Sequence, residues 1–467
     1  MKRMHAALLV ALVVTLLTAC GRITLTLSPS PTVAATVAPT STSVAVAPTR
    51  TAIPTQVPTR TPNPTQLPAA EPAATPDAEQ DELLAAADAI GSEMETIRGL
   101  DATQPITNGL MSRSEVAGYM QQELDREHTP EEWENDTRAR AAFDFIPEDY
   151  DLRAELLDLY SAQVAGFYDD EKNTLYVVSD TGLDLIARLT LAHEITHALQ
   201  DERFNLNAFL DEDRMSDDEI LARRALAEGD ATLAMTAYLM NHVSDITEED
   251  MAALQSEEIR ASEQQLAEAP AIIRETLNFP YTYGETFVSA LYEEGWDAVD
   301  AAYADPPVTT EQVLHPEKYL TRDEPQIMAL PPLTATLGSG WRLADDGTLG
   351  EFQMQVYLSQ QLEREIADAA GAGWDGDRYA VYVNGDDEVL VVSTAWDSPA
   401  DQDEFTAAYA KYAQSKYGQP GKRSGDAIWW ETPTQTVYLR WNGATALIID
   451  GPDRATVDKV LSAMLSL

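Results

Sequence analysis

Apolar residues recur at helical intervals near the start of the folded part of the chain. Leu83, Ala87 and Ile90 follow one another at spacings of four and three residues, which is the period of one helix face. The same spacing continues in the three segments that follow. The pattern predicts helices over 80–98, 112–127, 131–142 and 151–165.

The pattern then changes to short β-like runs. Residues 165–168 and 174–178 are rich in aromatic and β-branched side chains, and a polar turn over 169–173 separates them. A further helix is predicted from Ser179 or Asp180, both good N-caps, to about Asp201. Later helices are predicted over 216–243, 247–275 and 284–294.

The pattern of apolar and polar residues changes again after Pro331. Two β-rich runs flank Asn384-Gly385, a hairpin signal. The predicted order is a helix near 351–369, the paired strands within 378–395, a helix over 400–416, a two-strand run over 427–449 and a helix over 453–465. This alternation predicts a smaller C-terminal α+β domain over 336–467 with an internal ββα duplication, so the whole chain is predicted to be α+β.

The N-terminus has the proportions of a signal peptide. Lys2 and Arg3 precede an apolar run from Ala6 to Leu17 that is short for a membrane span. The run ends in Leu-Thr-Ala-Cys, which resembles the lipobox of bacterial lipoproteins. This resemblance implies that residues 1–20 form a lipoprotein signal peptide whose Cys20 is diacylated and becomes the mature N-terminus. It also implies that the protein is anchored to the membrane on its extracytoplasmic side. A plain signal peptide or an uncleaved anchor is the alternative.

Residues 21–77 predict a disordered stalk. The segment is dominated by Thr, Pro, Ala, Val and Ser, which cannot bury enough apolar surface to offset the entropy of ordering. The chain has 467 residues, of which 78 are Asp or Glu and 31 are Lys or Arg, for a net charge of −47. Such a charge repels nucleic acid, which we therefore exclude as a partner.

The predicted helix after the β-like runs carries His193, Glu194 and His197 in the spacing HExxH. Histidines four residues apart on a helix project from one face, so both rings can reach one metal ion. Glu194 is adjacent and can take a proton from a water on that metal. Two histidines on an apolar helix need polar partners, and a metal supplies them.

A catalytic zinc site also needs a third protein ligand. The metzincin pattern requires glycine at position 200 and histidine at position 203, and the chain instead has Gln200 and Arg203. Glu228, on the next predicted helix within Ala-Leu-Ala-Glu-Gly-Asp-Ala, has apolar neighbours that favour an inward orientation. The glycine after it permits close approach of another backbone or a ligand. An ordinary surface glutamate is the alternative.

HEITHALQDERF followed by ALAEGDA resembles the gluzincin branch of zinc metallopeptidases. The resemblance implies that His193, His197 and Glu228 bind zinc and that Glu194 acts as general base and acid in peptide-bond hydrolysis. It also implies a mainly helical, zincin-like domain with a small sheet over 78–335. In many gluzincins an Asp four residues after the ligand Glu orients the first histidine; that position is Thr232 here, so the nearest carboxylates, Asp230 and Asp201, are the candidates to orient His193.

Zincins bind an extended peptide along an edge strand, and 175–178 is the candidate for that strand. A downstream Tyr or His often stabilises the oxyanion, and His315, Tyr283 and Tyr319 are the candidates here. For each of them a packed or capping side chain is the competing interpretation.

The sequence thus predicts a zinc peptidase acting on a peptide or protein substrate. Two alternatives are a non-catalytic, zinc-stabilised surface or scaffold lipoprotein and a solute-binding lipoprotein. Glu194 argues against the first, because a structural site needs no base. A solute-binding lipoprotein requires two matched α/β lobes, which this chain lacks, and this argues against the second alternative. The sequence does not indicate the oligomeric state.

Overall fold

A computed structural model describes residues 76–466, apart from 165, 170–171, 179–182 and 212–213. The predicted signal peptide, Cys20 and nearly all of the predicted stalk therefore lie outside the described residues. Within the described ranges no helix has the length and apolar character needed to cross a bilayer.

The first part of the described chain is mainly helical. Its elements are α1 Pro76–Arg98, β1 Thr107–Met111, α2 Arg113–Glu127, α3 Pro130–Ala142, α4 Leu152–Gln163, β2 Gly166–Asp169, β3 Thr174–Val178, α5 Leu185–Phe204, α6 Leu206–Phe209, α7 Asp217–Asn241, α8 Glu248–Ala253, α9 Glu257–Glu268, α10 Ala271–Tyr292, α11 Trp296–Ala304, α12 Thr310–Leu314, α13 Pro316–Thr321 and α14 Thr334–Leu337. Helices α1 to α4 confirm the four that the apolar spacing predicts.

Helix α5 begins later than predicted. Its N-cap is Asp184, whose side chain accepts a hydrogen bond from the N–H of Ala187, whereas Ser179 and Asp180 lie outside the described residues. The helix ends at Phe204, because Asn205 adopts a left-handed conformation with φ 60°. The predicted end at Asp201 is one turn too early.

Helix α10 runs through a segment where the sequence predicted a break. The chain turns at Pro270, which is the N-cap of α10, and the helix then continues across Pro280. An internal proline removes one backbone hydrogen bond and crowds the preceding turn, but packing can compensate. Phe279, Pro280 and Tyr281 are all buried, which supplies that packing.

A three-stranded sheet lies beside α5, in the order β1-β3-β2. Strand β3 pairs with β1 in parallel and with β2 antiparallel, so it is the central strand. The prediction that residues 175–178 form an edge strand is therefore wrong. Strand β1 was not predicted, because its sequence, Thr-Asn-Gly-Leu-Met, has little of the β-branched or aromatic character typical of strands.

The second part of the chain is built around one large sheet. Its elements are β4 Arg342–Gly347, α15 Gly350–Ser359, α16 Arg364–Gly371, β5 Trp374–Asn384, β6 Asp387–Trp396, α17 Pro399–Tyr417, β7 Lys422–Arg423, β8 Ala427–Glu431, β9 Thr436–Asn442, β10 Thr445–Gly451 and α18 Arg454–Met464. The seven strands are antiparallel, in the order β4-β5-β6-β10-β9-β8-β7. The predicted hairpin joins β5 to β6, with Gly385 at φ 61°.

The fold is therefore mixed α+β. The units β5-β6-α17 and β9-β10-α18 have the topology of the expected ββα duplication. One continuous apolar core includes residues of both halves: the ring of Phe279 on α10 lies 4.4 Å from that of Phe352 on α15. A second apolar cluster, which includes Leu337, Tyr382 and Val457, lies between the sheet and helices α14 and α18.

Candidate metal centre

Helix α5 presents both histidines of the HExxH sequence in the protein interior. Every residue from Thr190 to Gln200 is buried, so this part of the helix is enclosed on all sides. The Nε2 atoms of His193 and His197 lie 3.0 Å apart, and both side chains are wholly inaccessible to solvent. The four-residue spacing has brought the two rings together, as predicted.

Helix α7 brings Glu228 to the same point. Its Oε2 atom lies 3.0 Å from Nε2 of His193 and 3.3 Å from Nε2 of His197. Among the described residues, these three form the one group of His, Cys, Asp or Glu side chains whose ligand atoms are close enough to share a metal ion.

The spacing of these three atoms suits a small divalent cation. Ligands at 2.0–2.1 Å from a tetrahedral ion lie about 3.3 Å from one another. The three separations are 3.0, 3.0 and 3.3 Å. Two imidazoles and one carboxylate are also a donor set that zinc accepts. The residues therefore fit a zinc ion in both geometry and chemistry.

A glycine crossing fixes helix α10 against helix α7. A Cβ atom on Gly229 would lie 2.2 Å from the backbone of Gly284, and one on Gly284 would lie 2.2 Å from the carbonyl oxygen of Ala225. The glycine after Glu228 thus permits the close backbone approach that the sequence suggested. The same crossing brings Tyr281 of α10 against the site, where its ring centre lies 6.0 Å from that of His193.

Gln200 links the two ligand-bearing helices. Its Oε1 atom lies 2.8 Å from Nδ1 of His197, and its Nε2 donates to the carbonyl oxygen of Ala227 on α7 at 3.0 Å. Because the amide oxygen only accepts hydrogen bonds, the proton of the neutral ring is on Nδ1, and Nε2 is left with its lone pair. Gln200 therefore orients His197 for metal binding.

Glu194 is attached to strand β2. The backbone N–H of Tyr168 donates to its Oε2 atom at 2.8 Å, and the carboxylate is wholly buried. Tyr168 also approaches α5 through its hydroxyl, which lies 3.0 Å from Asp201. The edge strand thus fixes the carboxylate beside the first histidine.

The charges of the three groups depend on one another. Burial lowers the pKa of His193, and the Glu228 hydrogen bond only partly opposes it. Burial also opposes the charged forms of His197 and Glu228, but their attraction raises the pKa of His197 to about 9 and lowers that of Glu228 to about 2. The carboxylate is therefore ionised at neutral pH, in the form that binds a cation.

The two aspartates predicted to orient a histidine make other hydrogen bonds. Asp230 bonds to Arg98 and to the hydroxyl of Tyr303, because the wholly buried Arg98 requires an anionic partner. Asp201 accepts from the N–H of Leu206 and lies near the Tyr168 hydroxyl. Neither aspartate therefore orients His193, whose Nδ1 has no hydrogen-bond partner among the described residues, and this prediction is wrong. The orienting bond in the site is instead the one between Gln200 and His197.

The predicted oxyanion donors also lie elsewhere. His315 bonds through Nε2 to Glu351 of α15 at 3.0 Å, and Tyr319 donates its hydroxyl to the carbonyl of Asp305. Tyr283 packs against Phe279, and burial raises its pKa. Within the described part of the chain, none of these three side chains has a hydrogen bond or a ring contact with either histidine. Tyr281, two positions before Tyr283, is instead the tyrosine whose ring lies beside His193.

The comparison with known families matches the C-terminal sheet region. A family model described as a domain of unknown function, DUF8575, matches residues 341–461. No curated protein and no solved structure matches the chain.

Proposed function

We propose that the protein is a zinc-dependent peptidase with a zincin-like catalytic domain of the gluzincin type. The observation that carries this proposal is the convergence of His193, His197 and Glu228 from two helices, with ligand atoms 3.0 to 3.3 Å apart. Glu194, on the same helix as the histidines, supports a catalytic rather than a structural site.

Each residue has a separate task in the proposed reaction. His193, His197 and Glu228 would hold the zinc ion, which would supply Lewis acidity and lower the pKa of a bound water. Glu194 takes a proton from the attacking water and passes it to the leaving amine. Tyr281, whose ring centre lies 6.0 Å from that of His193, is the candidate donor to the developing oxyanion.

The substrate in this proposal is a peptide or an unfolded protein. Strand β2 is an edge of its sheet, and the Tyr168 N–H that binds Glu194 is on the site side of that strand. An extended peptide can pair with such an edge by β-augmentation. Because both histidines and Glu194 are wholly buried, peptide binding requires the surrounding elements to separate locally.

The proposed location follows from the N-terminal sequence. A lipid on Cys20 anchors the chain at the extracytoplasmic face, and residues 21–75, which end where α1 begins, act as a stalk that holds the enzyme away from the membrane. Mass spectrometry of the N-terminus of the purified protein tests this location. An acylated N-terminal Cys20 supports the anchor, and an unmodified or absent Cys20 contradicts it.

The complete burial of the site favours one alternative, a non-catalytic zinc site that stabilises a scaffold. Structural zinc sites are closed, but they usually have four protein ligands, and three converge here. The decisive difference is the role of Glu194, which a structural site does not use.

Replacement of Glu194 by Gln separates these two functions. Hydrolysis of a peptide library should fall about 10²- to 10⁴-fold, since the proton acceptor is lost, while zinc remains bound. Glu202→Gln, the same change on the same helix but bonded to Thr103, is the matched control and should retain activity. Normal hydrolysis by the Glu194 variant would contradict the proposed mechanism.

A further inference from the structure

We propose that Tyr303 and Arg98 are positioning residues of the metal centre: through Asp230 they fix the rotation of helix α7 about its own axis, so that Glu228 meets the two histidines. This inference rests on the proposed metal site. It assigns a role to three residues that neither bind the metal nor touch its ligands.

Glu228 and Asp230 point to opposite sides of helix α7. Successive residues of an α-helix are about 100° apart, so residues two apart differ by about 200°. Glu228 accordingly faces the histidines of α5, and Asp230 faces Arg98 of α1 and Tyr303 of α11. A rotation that moved Glu228 away from the histidines would therefore break the bonds of Asp230.

Arg98 holds Asp230 with two parallel hydrogen bonds. Its Nε donates to Oδ1 at 2.5 Å and its Nη2 to Oδ2 at 3.0 Å, and neither side chain is accessible to solvent. The guanidinium also bonds to Asp300 at 2.6 Å and lies over the ring of Trp296 at 4.4 Å. A paired contact of this kind fixes orientation as well as distance, which a single hydrogen bond does not.

Tyr303 connects both helices that carry the metal ligands. Its hydroxyl donates to Oδ2 of Asp230 on α7 at 2.9 Å. Its ring stacks on Phe204, the last residue of α5, with centres 3.9 Å apart and planes within 3°. The side chain therefore sets α7 relative to α5 from the side opposite Glu228.

Other contacts also hold helix α7 in place. The glycine crossing with α10 brings the two backbones into contact at Gly229, and Gln200 donates to the carbonyl oxygen of Ala227. Near the start of the helix, Asp218 accepts hydrogen bonds from the N–H and the hydroxyl of Thr310. Asp230 differs from these contacts because it lies two residues from Glu228 on the opposite side of the helix, so it acts on the turn that carries the ligand.

Tyr303→Phe tests the inference, because it removes one hydroxyl and retains the stacked ring. Tyr382→Phe is the matched control: its buried hydroxyl accepts from the N–H of Leu333 in the C-terminal part, away from the site. Three quantities are measured for each protein: the zinc Kd by competition with a chelator, the visible spectrum of the Co²⁺-loaded form, and the urea midpoint of the metal-free form.

The inference predicts that Tyr303→Phe weakens zinc binding by about 10-fold and alters the Co²⁺ spectrum. Loss of a hydrogen bond that positions a metal ligand without itself binding the metal has an effect of this size. Tyr382→Phe should lower the urea midpoint to a similar extent but leave the zinc Kd and the spectrum unchanged. A wild-type Kd and spectrum in Tyr303→Phe would overturn the inference alone. An equal loss of zinc affinity in both variants would also overturn it, since the cause would then be general destabilisation. A wild-type protein that binds no zinc would overturn the proposed function as well.

Discussion

Two buried carboxylates in different parts of the molecule have opposite electrostatic character. Glu228 in the helical part and Asp377 in the large sheet are 3% and 4% exposed. Burial raises the pKa of Asp377 to about 6 even though three N–H groups, from Leu349, Gly350 and Trp374, donate to it. Burial opposes ionisation of Glu228 too, but the adjacent histidines lower its pKa to about 2.

The difference indicates what each carboxylate does. Asp377 accepts from neutral donors at the start of α15, so it holds the loop before that helix in place. Glu228 meets only two imidazole rings in its described contacts, both of which can exchange a proton for a metal. The hydrogen-bond partners of a buried carboxylate therefore distinguish a candidate metal ligand from a group that stabilises a loop, even where the two are equally exposed.

The largest effect is expected from Glu228→Gln. The change keeps the shape of the side chain but removes the charged ligand oxygen, so zinc affinity should fall more than about 100-fold, beyond the range typical of outer contacts. Competition with a chelator measures the loss. An unchanged Kd would show that Glu228 is not a ligand.

Asp377→Asn is expected to have the opposite effect, a loss of stability with no loss of zinc affinity. The amide can accept with one oxygen only, and its NH₂ group would face backbone donors, which should cost about 1–3 kcal/mol of unfolding free energy. Urea unfolding measures this cost, and zinc affinity should stay at the wild-type value. A stable variant that lost zinc would contradict the distinction between the two carboxylates.

A further effect is a dependence of stability on pH in the metal-free protein. Burial raises the pKa of Asp377 and Asp450 to about 6 and that of Glu388 to about 7. The folded state thus holds more protons than the unfolded state between their ordinary and raised pKa values, so stability falls as the pH rises through this range. Urea unfolding with a chelator present should give a lower free energy at about pH 8 than at about pH 5. A higher value at pH 8 would show that other groups dominate.

The sequence predicted those parts of the site that depend on one helix alone. The spacing of His193 and His197 places both on one face wherever the helix packs, and the structure brings them together. Glu228 required an assumption about packing between helices, which its apolar neighbours supported. One contact within that helix was nevertheless missed: Gln200 lies three residues after His197, but the gluzincin resemblance pointed to a carboxylate as the orienting group.

Errors at element boundaries explain the remaining differences. Because the predicted helices ended at 275 and began again at 284, Tyr281 and Tyr283 were both placed in a loop. Nothing in a loop favours one of them over the other as a site residue. The observed helix places Tyr281 and Gly284 three residues apart on the buried side, toward α7. The central position of β3 depends on its pairing with β1, a contact between segments more than 60 residues apart that no local pattern encodes.

The most direct test of the account is the metal content of the purified wild-type protein beside His197→Ala. The account predicts one zinc ion per chain in the wild type and its loss in the variant, because His197 supplies one of three ligands. No stoichiometric metal in wild-type protein purified without chelator, even after zinc is added back, would contradict the metal centre and the peptidase function built on it.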